Sequence, residues 1–183
     1  MLVAGKYIRL RILEPSDAAI TLKWRLSERA FLLNKGAETV AQQEQWILSR
    51  PSSELNFIIE LISGEAVGMI SLIQINTTNK NAEAARFLIG EEALAQGIPV
   101  AIESMMLLYQ IAFEKLGLER IYGTVVEDNV LMLKWQKFFG MSQEGVMRKH
   151  YFINNKFQDA IMVGILRDEF FSKALPKMKL MLR

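Results

Sequence analysis

The feature that most constrains the fold is a stretch from Glu83 to Met141 that reads as strand, glycine-bearing turn, apolar helix, strand and helix. The first strand is the short apolar run Ala84 to Ile89, and the turn after it carries Gln96-Gly97. A helix that begins on such a turn directs unpaired backbone N–H groups, and the positive end of its dipole, at one point in space. The stretch therefore predicts a βαβα unit with a site for an anionic phosphate.

The helix after this turn is predicted to be buried. From Val100 to Leu116 the residues are apolar almost all round, and Gly117 is suited to a C-terminal cap. Pro99 is expected at the first helical position, where its fixed φ favours helix entry. Because proline has no N–H, it also removes one donor from the anion site.

The remaining pattern predicts an α/β fold with a mixed, mostly antiparallel sheet. Ser63-Gly64-Glu65 and Asn154-Asn155-Lys156 are expected turns between strands. We expect strands at residues 7–12, 56–62, 66–75, 121–126, 151–153 and 157–166, and helices at residues 16–26, 40–49 and 130–139.

Composition narrows the class of protein. A chain of 183 residues that is 51% hydrophobic, without a Pro/Gly/Ser-rich linker, is predicted to form one domain over residues 1–183. The net charge of +2 comes from interleaved acidic and basic residues, so no nucleic-acid partner is expected. Nothing resembles a signal peptide or a membrane span, so we expect a cytoplasmic protein with no membrane partner. No cysteine and a single histidine exclude disulfides, an acyl-cysteine intermediate and a thiolate or histidine-rich metal site.

The motif Gln96-Gly97-Ile98-Pro99-Val100-Ala101 resembles a turn of the GCN5-related N-acetyltransferase (GNAT) superfamily. That turn reads (Arg/Gln)-x-x-Gly-x-(Gly/Ala), and Pro99 replaces its central glycine here. The opening strand before Glu14-Pro15-Ser16-Asp17, and Asn129 twelve residues ahead of Met141, are similar to the ribosomal-protein acetyltransferase-like branch. The similarity covers about residues 5 to 170. It implies a central sheet with helices on both faces.

The resemblance also implies the cofactor, acetyl-CoA. In the family, amides of this turn hold the coenzyme A pyrophosphate, and the acyl-pantetheine lies in a gap between two splayed strands. Leu88 and Ile89 would supply main-chain hydrogen bonds to it. The cofactor-binding residues predicted in this way are Leu88, Ile89, Gln96, Gly97, Ile98, Val100, Ala101, Asn129 and Lys137.

Acetyl transfer to an amine needs a base, and three residues are candidates. Glu83 lies at the mouth of the splayed strand, where it could bind or deprotonate the ammonium or could be a solvated charge at the strand end. Ser71 and Thr124 could instead hold a water that relays the proton. His150 has a suitable intrinsic pKa, with a surface residue as the alternative.

The proton donor is where the sequence departs from the family. Many members carry a tyrosine in the helix after Asn129 that protonates the leaving thiolate, whereas this chain has Gln136. An amide cannot act as an acid, so a water, the hydroxyl of Tyr109, Tyr122 or Tyr151, or no protein acid would serve.

The acceptor is predicted to be a small-molecule amine. The stretch from Trp24-Arg25 through Ser71 is similar to nucleotide-linked amino-sugar N-acetyltransferases of the pseudaminic acid pathway. Predicted substrate-binding residues are Trp24, Arg25, His150 and Tyr151, with a structural ion pair as the alternative for Arg25. Residues 18–35 favour an anionic acceptor because Glu28 is outnumbered by Lys23, Arg25, Arg29 and Lys35.

Other functions remain as alternatives. They are a protein N-terminal (ribosomal-protein-like) acetyltransferase, a polyamine acetyltransferase, and a catalytically weak acyl-CoA-binding protein. The basic, apolar residues 172–183 are expected to form a loosely docked terminus, with a homodimer contact or membrane association as alternatives.

Overall fold

The strands and helices follow the sequence in a computed structural model that describes residues 2–32 and 36–183. Lys35, one of the four predicted basic residues of the acceptor side, lies outside the described residues. The strands are β1 Leu2–Ala4, β2 Ile8–Ile12, β3 Leu55–Leu61, β4 Ala66–Asn76, β5 Asn81–Ile89, β6 Arg120–Val126, β7 Ser142–Ile153 and β8 Lys156–Leu166. The helices are α1 Ala18–Arg25, α2 Val40–Leu48, α3 Glu92–Ala95, α4 Val100–Gln110, α5 Val130–Phe138, α6 Arg167–Glu169 and α7 Leu175–Met181.

Within the described residues the strands form one sheet in the order β1-β2-β3-β4-β5-β6-β8-β7. Every neighbouring pair is antiparallel except β5 and β6, which are parallel. The predicted α/β fold with a mixed, mostly antiparallel sheet is therefore confirmed.

Helices cover both faces of the sheet, which explains the continuous apolar runs of the central strands. Phe57 and Ile59 of β3 point into a large core with α4 and α7, whereas Ile58 between them points into a smaller cluster with Trp24 of α1. A strand buried on both faces shows no alternation of polar and apolar residues.

Three predicted elements differ from the structure. β7 begins at Ser142, nine residues before the predicted strand, because its first residues are polar and largely exposed. β5 begins at Asn81, and the short helix α3 was not predicted. Pro99 is the N-terminal cap of α4, and the first helical residue is Val100.

Two wide helical turns meet at one aromatic cluster. After α4 the helix continues through Ile111–Lys115 as a π-turn, and Phe170–Ala174 forms a second π-turn between α6 and α7. The ring centroids of Phe113 and Phe170 lie 5.4 Å apart, and those of Tyr109 and Phe170 lie 5.5 Å apart. Arg167 donates a side-chain hydrogen bond to the carbonyl of Phe113.

The prediction of a loosely docked C-terminal segment is wrong. Phe170, Ala174, Met178 and Leu182 are buried in the larger core. The apolar residues that suggested a membrane or dimer contact therefore face the protein's own interior. None of the helices in residues 2–32 and 36–183 has the length and apolarity needed to cross a membrane.

Candidate functional site

Strands β5 and β6 pair over three residues and then separate. Asn81 is opposite Arg120, and Glu83 is opposite Tyr122, where the pairing recorded for the described chain ends. Beyond this point β6 remains paired with β8, and β5 remains paired with β4. The facing edges of residues 84–89 and 123–126 therefore border a gap, and main-chain groups that point into it lack strand partners.

The register of β4 and β5 indicates which main-chain groups face the gap. Gly90 N donates to Val67 O at 2.8 Å, and Ile89 lies opposite Gly68. Hydrogen-bonded and non-hydrogen-bonded pairs alternate along antiparallel strands. Ile89 therefore turns its N–H and C=O into the gap, whereas Leu88 turns its own towards β4. Of the two residues predicted to bind pantetheine through the main chain, the structure orients Ile89 for that role and not Leu88.

The turn before α4 presents free amides at the edge of this gap. Gly97 has a φ of +77°, and no atom lies within 4 Å of the position that a Cβ would take. Ile98 N and Val100 N donate within the turn, at 3.1 and 2.8 Å. Among the described residues, nothing accepts from the amides of Gly97, Ala101 and Ile102. Three orphan N–H groups and the N-terminus of an 11-residue helix form an anion site.

A groove of about 410 Å³ runs from this turn along β5 and α5. It continues into an inner chamber of about 130 Å³ between β5, β6 and α5. Leu32, Phe87, Asn129 and Met132 line both spaces, so the two are connected. The predicted cofactor-binding residues that line the groove are Leu88, Ile89, Ile98, Val100, Ala101 and Asn129.

The other predicted cofactor-binding residues lie outside the groove lining. Gln96 and Gly97 are exposed on the turn beside it, and Lys137 is exposed on α5. Asn129 has a second role, since its Oδ1 accepts the N–H of Met132 at 3.1 Å and caps α5.

Glu83 stands where the strands separate, and the structure brings Thr124 and Tyr151 to it. Thr124 Oγ1 donates to Glu83 Oε1 at 3.0 Å and lies 2.6 Å from the hydroxyl oxygen of Tyr151. Gln74 Nε2 donates to Glu83 Oε2 at 3.2 Å. Burial raises the pKa of Glu83 above the usual carboxyl value, and the Thr124 hydrogen bond partly opposes that rise. A half-buried carboxyl with a raised pKa is suited to general-base chemistry.

Ser71 belongs to a different network, contrary to its predicted partnership with Thr124. It is fully buried, and its Oγ donates to Asn56 Oδ1 at 2.7 Å. The same Asn56 oxygen accepts from Arg86 Nη1 at 2.9 Å, and that guanidinium pairs with Glu54 at 2.8 Å. Ser71 therefore supports Arg86 and does not reach the base candidate.

Arg86 is a residue of the chamber that the sequence analysis missed. The register between β4 and β5 shifts between Met69/Leu88 and Ser71/Ala85, so β5 carries one extra residue there. Arg86 in this bulge has a φ of +54°, and it lines the inner chamber. A lone arginine inside the apolar run 84–89 was the available signal.

Of the three candidate hydroxyls, Tyr151 is the one that lines the inner chamber. The hydroxyl of Tyr109 is buried and has no partner among the described residues, and that of Tyr122 donates to Gln74 at 3.3 Å. Gln136 also lines the chamber. Its Oε1 is buried without a partner in the described chain, and its Nε2 lies 3.7 Å from Met132 Sδ.

The prediction that Trp24 stacks on substrate is wrong. The indole is 1% exposed and its Nε1 donates to Glu91 Oε1 at 2.9 Å. It packs so closely on Gly90 that a Cβ there would collide with the ring. Trp24 therefore fixes the path of the chain that leaves β5.

Arg25 and His150 lie around the chamber rather than in it. Arg25 lines a neighbouring cavity with Glu28 and Glu38, and burial, together with the charge of Arg86, lowers the pKa of Arg25. His150 is exposed, with its ring centroid 4.6 Å from that of Tyr151. Ile153 lines both this cavity and the inner chamber, so the two adjoin.

The basic charge predicted for the acceptor side is largely neutralised. Lys23 pairs with Glu91 at 2.6 Å, and Arg29 pairs with Glu92. Both carboxylates belong to the segment that leads from β5 into the anion turn. Of the four predicted cations, Arg25 is the described one that lines the acceptor-side cavity. The charge argument for an anionic acceptor therefore loses its basis. No three His, Asp or Glu side chains in the described residues are grouped to hold a metal ion.

Comparison with known proteins points to one family. The family model described as "Acetyltransferase (GNAT) domain" matches residues 8–142. The spermidine N(1)-acetyltransferase of Escherichia coli K12 is 27% identical over 121 residues, which are 66% of this chain and 63% of that protein's length. A putative ribosomal N-acetyltransferase of Bacillus subtilis, YdaF, is 27% identical over 176 residues, 91% of this chain and 94% of its own.

A solved structure shows the same fold. The crystal structure of spermidine N-acetyltransferase from Vibrio cholerae, in complex with CoA and spermine, superposes with a TM-score of 0.80. The sequence identity is 24%, and the match covers 90% of this chain and 98% of that one. The similarity to amino-sugar enzymes stays a prediction.

Proposed function

We propose that this chain, which belongs to the GNAT family of acetyltransferases, transfers the acetyl group of acetyl-CoA to a primary amine of a small molecule. The observation that carries the proposal is the gap between β5 and β6. It has an anion site at one end and Glu83 at the other.

The proposed cofactor path follows the groove. The pyrophosphate takes the orphan amides of Gly97, Ala101 and Ile102, and the pantetheine arm runs along β5 to the inner chamber. The CoA bound to the Vibrio cholerae enzyme supports this assignment. Ile89 offers main-chain hydrogen bonds like those of an added strand.

The proposed chemistry is direct attack of the amine on the thioester. Glu83 accepts the amine proton, and its raised pKa matches that task better than an ordinary exposed carboxylate would. Preorganised N–H groups in the gap stabilise the oxyanion that develops on the carbonyl. The remaining need is a proton for the thiolate.

A polyamine is the acceptor that we favour. Spermidine is named for the Escherichia coli relative and spermine for the Vibrio cholerae complex. Two further observations support a cationic acceptor: Glu91 and Glu92 neutralise Lys23 and Arg29, and the carboxylates of Glu28 and Glu38 line the cavity next to the chamber.

A nucleotide-linked amino sugar is the second candidate. Arg25 lines the same cavity and could pair with a diphosphate, although the buried Trp24 offers no stacking surface. An acyl-CoA-binding protein without turnover would keep the groove and lose the chemistry.

Coenzyme A release separates these functions. Purified protein and acetyl-CoA are mixed with spermidine, spermine, a nucleotide-linked amino sugar or a ribosomal-protein N-terminal peptide, and free thiol is measured. Thiol release with spermidine or spermine that Glu83→Gln reduces about 10²-fold or more supports the proposal. Acetyl-CoA binding by calorimetry without thiol release from any amine would favour the binding protein.

A further inference from the structure

Three side chains from three strands form one hydrogen-bonded chain across the site. Glu83 lies on β5, Thr124 on β6 and Tyr151 on β7, joined by distances of 3.0 and 2.6 Å. Glu83 stands where the strands separate, and Tyr151 lines the inner chamber together with Gln136. The chain therefore connects the base candidate to the place where the thioester would lie.

The direction of the hydrogen bonds depends on the proton of Glu83. An ionised carboxylate only accepts, so Thr124 must then donate to Glu83, and Tyr151 must donate to Thr124. A protonated Glu83 can donate to Thr124, whose own hydrogen then turns to the oxygen of Tyr151. In that second arrangement the hydroxyl hydrogen of Tyr151 is released towards the chamber.

We propose that Tyr151 protonates the leaving thiolate of coenzyme A, and that proton capture by Glu83 releases the Tyr151 hydrogen by reversing this chain. The inference rests on the proposed acetyl transfer. It makes the base and the acid two ends of one relay, with Thr124 as the positioning residue between them.

The protons and bonds balance. The amine nitrogen forms the N–C bond, the C–S bond breaks, and one nitrogen proton passes to Glu83. Tyr151 gives its proton to sulfur and is reprotonated by Thr124, which is reprotonated by Glu83. One proton moves in net from nitrogen to sulfur, Glu83 returns to carboxylate, and no oxidant or other reactant is needed.

Two features of Tyr151 fit a donor. Burial, and the nearby Glu83 charge, raise the pKa of Tyr151, so the hydroxyl keeps its hydrogen at neutral pH. Gln136, in the position of the family tyrosine, has no ionisable proton, and the hydroxyls of Tyr109 and Tyr122 do not line the chamber.

Cutting the chain in its middle tests the relay. Turnover is measured with acetyl-CoA and spermidine for wild type, Thr124→Val, Thr124→Ser and Tyr151→Phe. We expect Thr124→Val and Tyr151→Phe to lower kcat about 10²-fold, the low end of typical general acid–base contributions, with the KM for acetyl-CoA little changed. Thr124→Ser restores the hydroxyl and should recover most of the loss. Tyr122→Phe is the matched control, since its hydroxyl bonds Gln74 outside the chain.

Rates in mixtures of H₂O and D₂O give a readout that a purely structural role does not move. A relay with several protons in flight produces a curved dependence of kcat on deuterium fraction, and Thr124→Val should make it linear. If spermidine is not acetylated, the comparison is made on hydrolysis of acetyl-CoA, in which water is the acceptor. Thiol release that Tyr151→Phe does not slow overturns the relay alone. No thiol release in either reaction overturns the relay and acetyl transfer together.

Discussion

Three glycines separate backbone strain from anion binding. Gly97 and Gly117 both have positive φ values, +77° and +63°, whereas Gly145 does not, and none of the three has an atom within 4 Å of an added Cβ. Alanine at any of them meets no steric clash. Any difference between the three variants therefore comes from φ and from the position in the fold.

The stability changes follow from φ alone. Alanine in the left-handed region costs about 1–2 kcal/mol, and the lower entropy of the unfolded chain returns about 0.4–1 kcal/mol. We expect Gly97→Ala and Gly117→Ala each to lose about 1 kcal/mol of unfolding free energy, a fall in Tm of about 2–4 °C for a chain of this size. Gly145→Ala should be neutral or slightly stabilised, because it keeps the entropy gain without the strain.

Coenzyme A affinity should change in one variant. At Gly97 the added methyl occupies open space beside an orphan amide, so we expect it to obstruct a charge-assisted hydrogen bond worth about 1.5–3 kcal/mol. That is a loss of roughly 10- to 100-fold in affinity by calorimetry, with Gly117→Ala and Gly145→Ala at wild-type affinity. Equal coenzyme A affinity in Gly97→Ala and Gly117→Ala would refute the anion site. Equal Tm values for Gly97→Ala and Gly145→Ala would refute the strain argument.

Four further outcomes are expected. Acetyl-CoA at a hundredfold excess over its Kd should stabilise the fold by about 2.7 kcal/mol in a thermal unfolding scan, and no shift would count against binding. Glu83→Gln should abolish most turnover yet raise Tm at pH 8. The reason is that the raised pKa of Glu83 makes stability fall as pH rises from the unfolded carboxyl value through the raised one; a lower Tm at pH 8 would contradict this. Gln136→Met should gain about 1 kcal/mol in a denaturant titration by removing the unpartnered Oε1, and a loss would show that the amide is satisfied. Pro99→Gly should tighten coenzyme A in calorimetry by adding an amide to the turn.

The sequence predicted the elements whose pattern is local. The buried helix from Val100, the strand ending at Ile89 and the turn between β3 and β4 lie where periodicity and glycine place them. β7 was shortened because an exposed edge strand carries no apolar pattern. Glu103 looks like a break in the apolar helix. In the fold it is buried and accepts the N–H groups of Lys6, Tyr7 and Ile8, a contact over about a hundred residues that no local pattern records.

The site was predictable where main chain or the order of strands defines it. Glu83 and Thr124 meet because they lie near the parting of adjacent parallel strands, and the glycine turn has the expected free amides. Side-chain direction was not predictable. Ser71 and Trp24 both point into buried clusters, and the bulge that aims Arg86 at the chamber depends on the pairing register. The neutralisation of Lys23 and Arg29 depends on α3, which periodicity did not reveal.

The paired π-turns carry a consequence for how this chain can change in length. Such a turn holds one residue more than an α-helix of the same path, so deleting that residue rotates everything beyond it by about 100°. Tyr109 and Phe113 reach Phe170 from one helix, and Phe170 itself begins the second wide turn. A one-residue deletion in either helix would turn these rings out of contact, while a matching deletion in the other could bring them back. Insertions and deletions among descendants of this chain should therefore gather in its surface loops, and those in these two helices should occur as pairs.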